Sequence, residues 1–232
     1  MNVPPFIPPP LEIQGNVAEE RHRTRIAFIR SVAICHFLSV ACIAGISTIS
    51  FQVPIESSLA SSAAIMLAML AVRNLAKGRS IENLVSAGML LPLLISLGFA
   101  ASALHDRFPL WGVLASSVVI AVYAVAARRD VSFLGMFAVG WLLGGVGWAT
   151  MFWLQLEGRW TLWWAFLAHT VWIWYFVYDF SMLLRRRRLG EELAATADLY
   201  RDVFNWTTYW ARVIQHWRRH RFWAKLNIQW FE

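Results

Sequence analysis

The chain has 232 residues, of which 58% are hydrophobic and only 15% are charged, and its formal net charge is +7. Average soluble domains carry about 25% charged residues, so this composition argues against a soluble globular protein. A positive net charge could indicate a nucleic-acid partner. The basic residues lie at the ends of apolar segments instead of in one patch, so no nucleic-acid partner is expected.

The beginning of the chain is rich in proline. Five of the eight prolines fall in its first stretch, MNVPPFIPPP. Such sequence is typical of extended or disordered segments. We therefore expect residues 1–24 to form a disordered, proline-rich cytosolic arm and residues 25–214 to form the main domain.

Seven apolar segments follow the arm. About 20 apolar residues in a helix span the hydrocarbon core of a bilayer. The segments are 31–51, 57–72, 84–104, 110–127, 132–154, 161–184 and 193–214. The sequence therefore predicts an all-α, polytopic membrane protein with six to seven transmembrane helices.

Basic residues are distributed unequally between the two sets of loops. Thirteen lie before the first segment or after an even-numbered one, and two lie in the opposite loops. The positive-inside rule therefore places the N-terminus in the cytosol. The tail 215–232 alternates Trp with Arg and is predicted to lie on anionic lipid. Seven crossings would place this tail on the non-cytosolic side, although it is also basic. Either the charge rule fails at the last crossing, or the segment 193–214 enters the membrane and returns without crossing it fully.

Small and polar residues inside the segments predict tight packing. Gly140 and Gly144 have the small-xxx-small spacing that marks close contact between membrane helices. His36 and His169 are single histidines within segments, and we expect each to be a hydrogen-bonded packing residue.

Two aspartates are the least expected residues of the apolar segments. Asp179 lies about 9 Å inside the arginine run 185–188, and Asp202 lies at a similar depth in the next segment, at about 1.5 Å per residue. In an antiparallel hairpin the two carboxylates can meet, if both face the bundle interior. Each costs about 2.5–3.5 kcal/mol on insertion scales, and two close carboxylates do not readily ionise together, so a shared proton is expected. For Asp202 a solvated surface turn is the alternative, because Asp198 and Arg201 are close in sequence.

An aspartate pair of this kind can hold a proton, bind a cation or pair with a basic residue. Asp179 and Asp202 are therefore also candidate Ca²⁺ ligands, with Tyr200, Asn205 and Ser181 as nearby oxygen donors. The sequence contains no zinc HExxH, no serine GxSxG and no GxGD of an intramembrane aspartyl protease. We therefore expect neither an enzyme nor a bound cofactor.

The order of these features resembles the Bax-inhibitor/Lifeguard family, also called transmembrane BAX inhibitor motif proteins. FVYDFSMLL (176–184) and EELAATADLYRDVFN (191–205) are similar to the family's Tyr-Asp-Thr-Gln exit and Leu-Tyr-x-Asp-x-x-Asn re-entry. Phe180-Ser181 stands where the family has Thr-Gln. Three further segments resemble earlier parts of the family pattern: RIAFIRSVAICHFLSVACIAG (25–45), IENLVSAGMLL (81–91) and SSVVIAVYAVAARRDVSFLGMF (116–137).

This resemblance implies seven helices with the last one central, and residence in an ER- or Golgi-type membrane, or in the inner membrane of a bacterium. It implies that Asp179 and Asp202 share a proton and gate a pH-sensitive calcium leak, with Ca²⁺ as the permeant ion and a cytoprotective role. Arg73 is the candidate for a basic residue that latches the pair. The departures from the family pattern, such as Phe180-Ser181 in place of Thr-Gln, suit a divergent or viral member of the family. The alternative is therefore a non-conducting protein that binds partner membrane proteins in cell death or immune evasion.

Overall fold

The computed structural model describes residues 13–49, 53–76, 80–104, 118–119, 121–126, 133–155 and 158–202. This part of the chain is helical apart from short connections, which confirms the all-α class. After a short 3₁₀ helix at Val17–Glu19 come α1 (His22–Ser47), α2 (Ile55–Ala76), α3 (Ser80–Ala103), α4 (Phe133–Trp153), α5 (Arg159–Arg186) and α6 (Glu192–Arg201). Residues 118–119 and 121–126 are also helical.

Three helices, α1, α2 and α3, are long and apolar enough to cross a membrane. They coincide with the first three predicted segments. In α4 the apolar stretch of sufficient hydropathy is the shorter Phe137–Trp153. Six to seven spans stay a prediction, because α4 and α5 are not among the described helices long and apolar enough to cross a membrane, and segments 110–127 and 193–214 lie largely outside the described residues.

The outward faces of the helices are apolar. Large hydrophobic side chains such as Leu75, Leu84, Trp153 and Trp160 are more than two-thirds exposed. Extended apolar surface is rare on soluble monomers. These faces therefore suit contact with lipid.

The last described helix is surrounded by others, since α6 packs against α1, α2, α3 and α5. Two apolar clusters fill the space around it. One cluster joins the 3₁₀ helix to α1, α5 and α6, and the other joins α1, α2, α3 and α6.

A tight turn connects α5 to α6 and brings both helices back to the same end of the bundle. Gly190 has a φ of +85°, in the left-handed region that glycine enters without steric cost. The backbone N–H of Arg188 donates to Glu191 Oε2 at 3.1 Å, and that of Gly190 donates to Glu192 Oε1 at 3.3 Å. Acidic side chains at the start of α6 therefore satisfy amides that the turn leaves unpaired.

The contact between α4 and α5 depends on glycine. A Cβ built at Gly144 would overlap the ring of His169, and His169 Nε2 lies 3.2 Å from the carbonyl oxygen of Gly140. Both the predicted close helix contact and the hydrogen-bonded packing role of His169 are thereby confirmed. The corresponding prediction for His36 is wrong. Among the described residues neither of its ring nitrogens has a hydrogen-bond partner, and its ring packs instead on Phe176 and Tyr200.

Residues 13–24, which the sequence places in a disordered arm, are instead folded. Val17 is completely buried, and the Asn16 side chain caps the 3₁₀ helix by accepting a hydrogen bond from the N–H of Ala18. The prolines of the predicted arm all precede residue 13, and the buried side chains of Ile13 and Val17 together with the Asn16 cap stabilise the polar segment that follows them. Residues 1–12 and the tail 215–232 lie outside the described part of the chain.

Candidate functional site: a buried charge cluster

Eight charged side chains meet inside the bundle, where none of them is more than 8% exposed. Four are carboxylates and four are guanidinium groups. They are Glu82, Asp179, Asp198, Asp202, Arg73, Arg186, Arg187 and Arg201. Burying charge is costly unless the charges are paired and hydrogen-bonded. The equal numbers make this charge cluster neutral when every member is ionised.

Helix geometry places the members at one end of the bundle. Arg73 is in the last turn of α2 and Glu82 is in the first turn of α3. Asp179 and Arg186 are seven residues apart on α5, so they share a face two turns apart. On α6 the three members Asp198, Arg201 and Asp202 are three and four residues apart, which again puts them on one face.

The inner half of the charge cluster joins the two aspartates predicted from sequence. Arg186 Nη1 lies 2.5 Å from Asp202 Oδ2 and 3.4 Å from Asp179 Oδ1. Both aspartates therefore lie against one guanidinium nitrogen, and Asp202 is buried instead of forming a solvated turn. A positive charge thus occupies the place at which the sequence predicts a shared proton.

The outer half of the charge cluster is organised by Arg187. Its guanidinium donates to Glu82 through Nη1 at 3.0 Å and Nη2 at 2.8 Å, and to Asp198 through Nε at 2.8 Å and Nη2 at 2.6 Å. Planar, two-pronged pairing of this kind suits arginine and not lysine. Burial disfavours the charged form, but attraction to Asp198 and Glu82 outweighs it and raises the pKa of Arg187. Arg187 therefore stays positive at every physiological pH.

Two further arginines join the halves. Arg201 Nη2 lies 2.7 Å from Asp198 Oδ1 and 2.9 Å from Asp202 Oδ1. Arg73 Nη1 lies 3.4 Å from Asp198 Oδ2 and 3.8 Å from Asp202 Oδ1. Arg73, the candidate latch, is thus part of the cluster. The guanidinium of Arg186 is nevertheless much closer to Asp202.

The predicted supporting residues have different outcomes. Tyr200 is partly buried, and its hydroxyl forms a 2.5 Å hydrogen bond with Ser39 of α1, so this contact joins α6 to α1. The side chain of Ser181 and the whole of Asn205 lie outside what the structure describes.

Sequence reasoning missed five members of the cluster: Glu82, Asp198, Arg186, Arg187 and Arg201. It interpreted the arginine run 185–188 as the place where the chain leaves the membrane, and it considered Asp198 and Arg201 only as signs of the alternative surface turn. The sequence did contain a signal for Arg186: it lies seven residues after Asp179, which places the two on the same face of a helix.

The arrangement does not suit a bound cation. In the ranges that the structure describes, no group of three or more His, Cys, Asp or Glu side chains is placed to hold a metal ion. Ca²⁺ prefers about six to eight oxygen ligands, whereas guanidinium groups interleave these carboxylates. The Ca²⁺ ligation predicted for Asp179 and Asp202 therefore does not fit this conformation, in which the pair holds Arg186.

Comparisons with protein-family models, with curated proteins and with solved structures find no match for this chain. The role of the charge cluster is therefore inferred from its geometry.

Proposed function

We propose that the chain is a pH-sensitive ion leak of an intracellular membrane, with Ca²⁺ as the permeant ion and a cytoprotective role. The observation that carries this proposal is the contact of Arg186 with both Asp179 and Asp202. The resemblance of the surrounding segments to the Bax-inhibitor/Lifeguard family supports the same pair. In this proposal the positive charge of Arg186, and not a shared proton, links the two carboxylates.

The contact is a gate because it joins two helices through titratable groups. Asp179 and Arg186 belong to α5, whereas Asp202 caps the end of α6. With both carboxylates ionised, one guanidinium holds the helices together, and a cation meets a positive charge instead of a carboxylate pair. In this proposal the conformation with Arg186 between the two aspartates is the closed one.

Acidification is expected to open the gate. An ion pair of a carboxylate is present while the carboxylate is ionised and is lost as the pH falls through its pKa. Loss of negative charge from the carboxylates that Arg186 contacts removes its partners, so the attraction between α5 and α6 weakens. The leak should therefore increase as the pH falls.

The test is Ca²⁺ efflux from liposomes that contain the purified protein, measured between about pH 5 and 8. Asp202→Asn is expected to give a leak that varies little with pH, because the amide offers Arg186 no negative charge at any pH. Arg23→Gln is the control, since it also removes one arginine charge but from an exposed side chain of α1. A wild-type pH profile in correctly inserted Asp202→Asn protein would contradict the gate.

The charge balance of the cluster favours a second candidate, a non-conducting protein that acts by binding partner membrane proteins. Four acids matched by four arginines suit a permanent clamp as well as a gate. In that case wild-type protein shows no leak at any pH. Asp202→Asn then lowers the stability of the protein but leaves partner binding unchanged. Deletion of 215–232 abolishes partner binding.

A further inference from the structure

Residues 13–20, here called the N-terminal clasp, lie across the turn between α5 and α6. The N–H of Ile13 donates to the carbonyl of Arg185 at 3.2 Å, and the N–H of Val17 donates to the carbonyl of Arg187 at 2.9 Å. A helix leaves its last carbonyls without intrahelical partners. The N-terminal clasp therefore supplies donors on both sides of Arg186, the residue that holds both aspartates.

The N-terminal clasp has internal order of its own. The side-chain amide of Asn16 donates to the carbonyl of Ile13 at 2.7 Å and to Glu19 Oε1 at 3.0 Å. Val17 is buried in the same apolar cluster as Phe28 of α1 and Leu183 of α5. The segment is thus docked through the buried side chains of Ile13 and Val17, and the side-chain amide of Asn16 stabilises its conformation.

The docked segment also covers the turn next to the charge cluster. Arg188, on the exposed side, donates through Nε to the carbonyl of Gln14 at 3.1 Å. Arg186 and Arg187, on the other side, are 5% and 1% exposed. Ion pairs weaken steeply when water raises the local dielectric constant. A cover over this turn therefore strengthens the pairs beneath it.

We infer that the N-terminal clasp is a brace that positions Arg186 and shields the charge cluster from the cytosol. Its release from the turn loosens the hold of Arg186 on Asp179 and Asp202. The first statement concerns the structure alone, and the second rests on the proposed function.

The experiment uses the full chain in liposomes and compares Val17→Asp with Gln14→Asp. The two variants add the same charge to the same segment, but position 17 is buried and position 14 is exposed. Two quantities are measured: hydrogen exchange of the amides of residues 185–188, and Ca²⁺ efflux at neutral pH. For Val17→Asp we expect exchange to rise by about tenfold or more, since local opening governs exchange. We also expect efflux to rise several-fold, whereas Gln14→Asp leaves both near wild type.

The two readouts separate the brace from the gate. Unchanged exchange in Val17→Asp overturns the inference, whatever the efflux. Raised exchange with wild-type efflux supports the brace and overturns its link to the gate. If Val17→Asp fails to insert, Val17→Ala and Asn16→Ala are measured in its place. Smaller rises in exchange in these variants support the inference, and wild-type exchange in both overturns it.

Discussion

Replacing Arg187 by glutamine should be among the most damaging single changes in the chain. The side chain is 1% exposed and donates four hydrogen bonds of 2.6 to 3.0 Å to two carboxylates. After the change Asp198 still has Arg201 Nη2 at 2.7 Å and Arg73 Nη1 at 3.4 Å. Glu82 retains only the more distant Arg201 Nη1, at 3.9 Å, among the described arginines.

The expected cost follows from the charge that is left behind. Removing one partner of a buried ion pair typically costs about 3–5 kcal/mol, because the other charge stays buried without compensation. Glu82 is that charge here. Adding Glu82→Gln to Arg187→Gln removes it, and coupled neighbours typically show interaction energies of about 0.5–3 kcal/mol. The double variant should therefore be more stable than Arg187→Gln alone by about 1–2 kcal/mol.

The assay is denaturant unfolding of the detergent-solubilised protein, followed by the fluorescence of its 14 tryptophans. Arg23→Gln, at an exposed position of α1, is the control, and its free energy of unfolding should stay within about 0.5 kcal/mol of wild type, as for most surface changes. A cost below about 1 kcal/mol for Arg187→Gln would refute the reasoning. So would a further loss of stability on adding Glu82→Gln.

Two other predictions concern contacts between helices. Gly144→Ala should lower the free energy of unfolding by about 1–3 kcal/mol, because the new methyl group overlaps His169. Gly147→Ala should change the free energy of unfolding little, because the space around its Cβ is open. Equal effects of the two variants in the same unfolding assay would contradict this packing. Tyr200→Phe should cost about 1 kcal/mol through loss of the hydrogen bond to Ser39, and Ser39→Ala should add little in that background. Fully additive costs in the double-mutant cycle would show that the two hydroxyls do not interact.

Hydropathy predicted helices but underestimated their length. The first segment was expected at 31–51, whereas α1 begins at His22. The sixth was expected at 161–184, whereas α5 extends over Arg159–Arg186. Apolar residues mark only the part of a helix that lies in hydrocarbon, and the backbone hydrogen bonds continue into polar sequence on either side. That extension carries Arg186 into the site.

The approach of Asp179 and Asp202 to one another was predictable, because a short turn places them at the same end of a hairpin. Which arginines accompany them was not. Arg186 continues the α5 helix, seven residues after Asp179, whereas Arg187 is extended, with φ −129° and ψ 151°. Four consecutive arginines look alike in sequence, and the residue at which the helix stops decides which of them turn inward.

Asp198 and Arg201 illustrate a second limit. Their spacing of three residues is equally typical of an exposed helix, where such pairs stabilise the surface. In this protein α1, α2, α3 and α5 pack around α6, and both residues are completely buried. Burial of a polar helical face depends on how distant segments assemble, which local spacing does not encode.

The distribution of charge between the two hairpins has a consequence for membrane insertion. The α2–α3 hairpin contributes one arginine and one glutamate to the cluster, Arg73 and Glu82. The α5–α6 hairpin contributes three of each sign: Asp179, Asp198, Asp202, Arg186, Arg187 and Arg201. These groups sum to zero within each hairpin, and a hairpin without net charge costs less to insert into a bilayer than a charged one. The contacts of Arg187 with Glu82 and of Arg73 with Asp198 join the two hairpins, so these ion pairs form only when the hairpins meet.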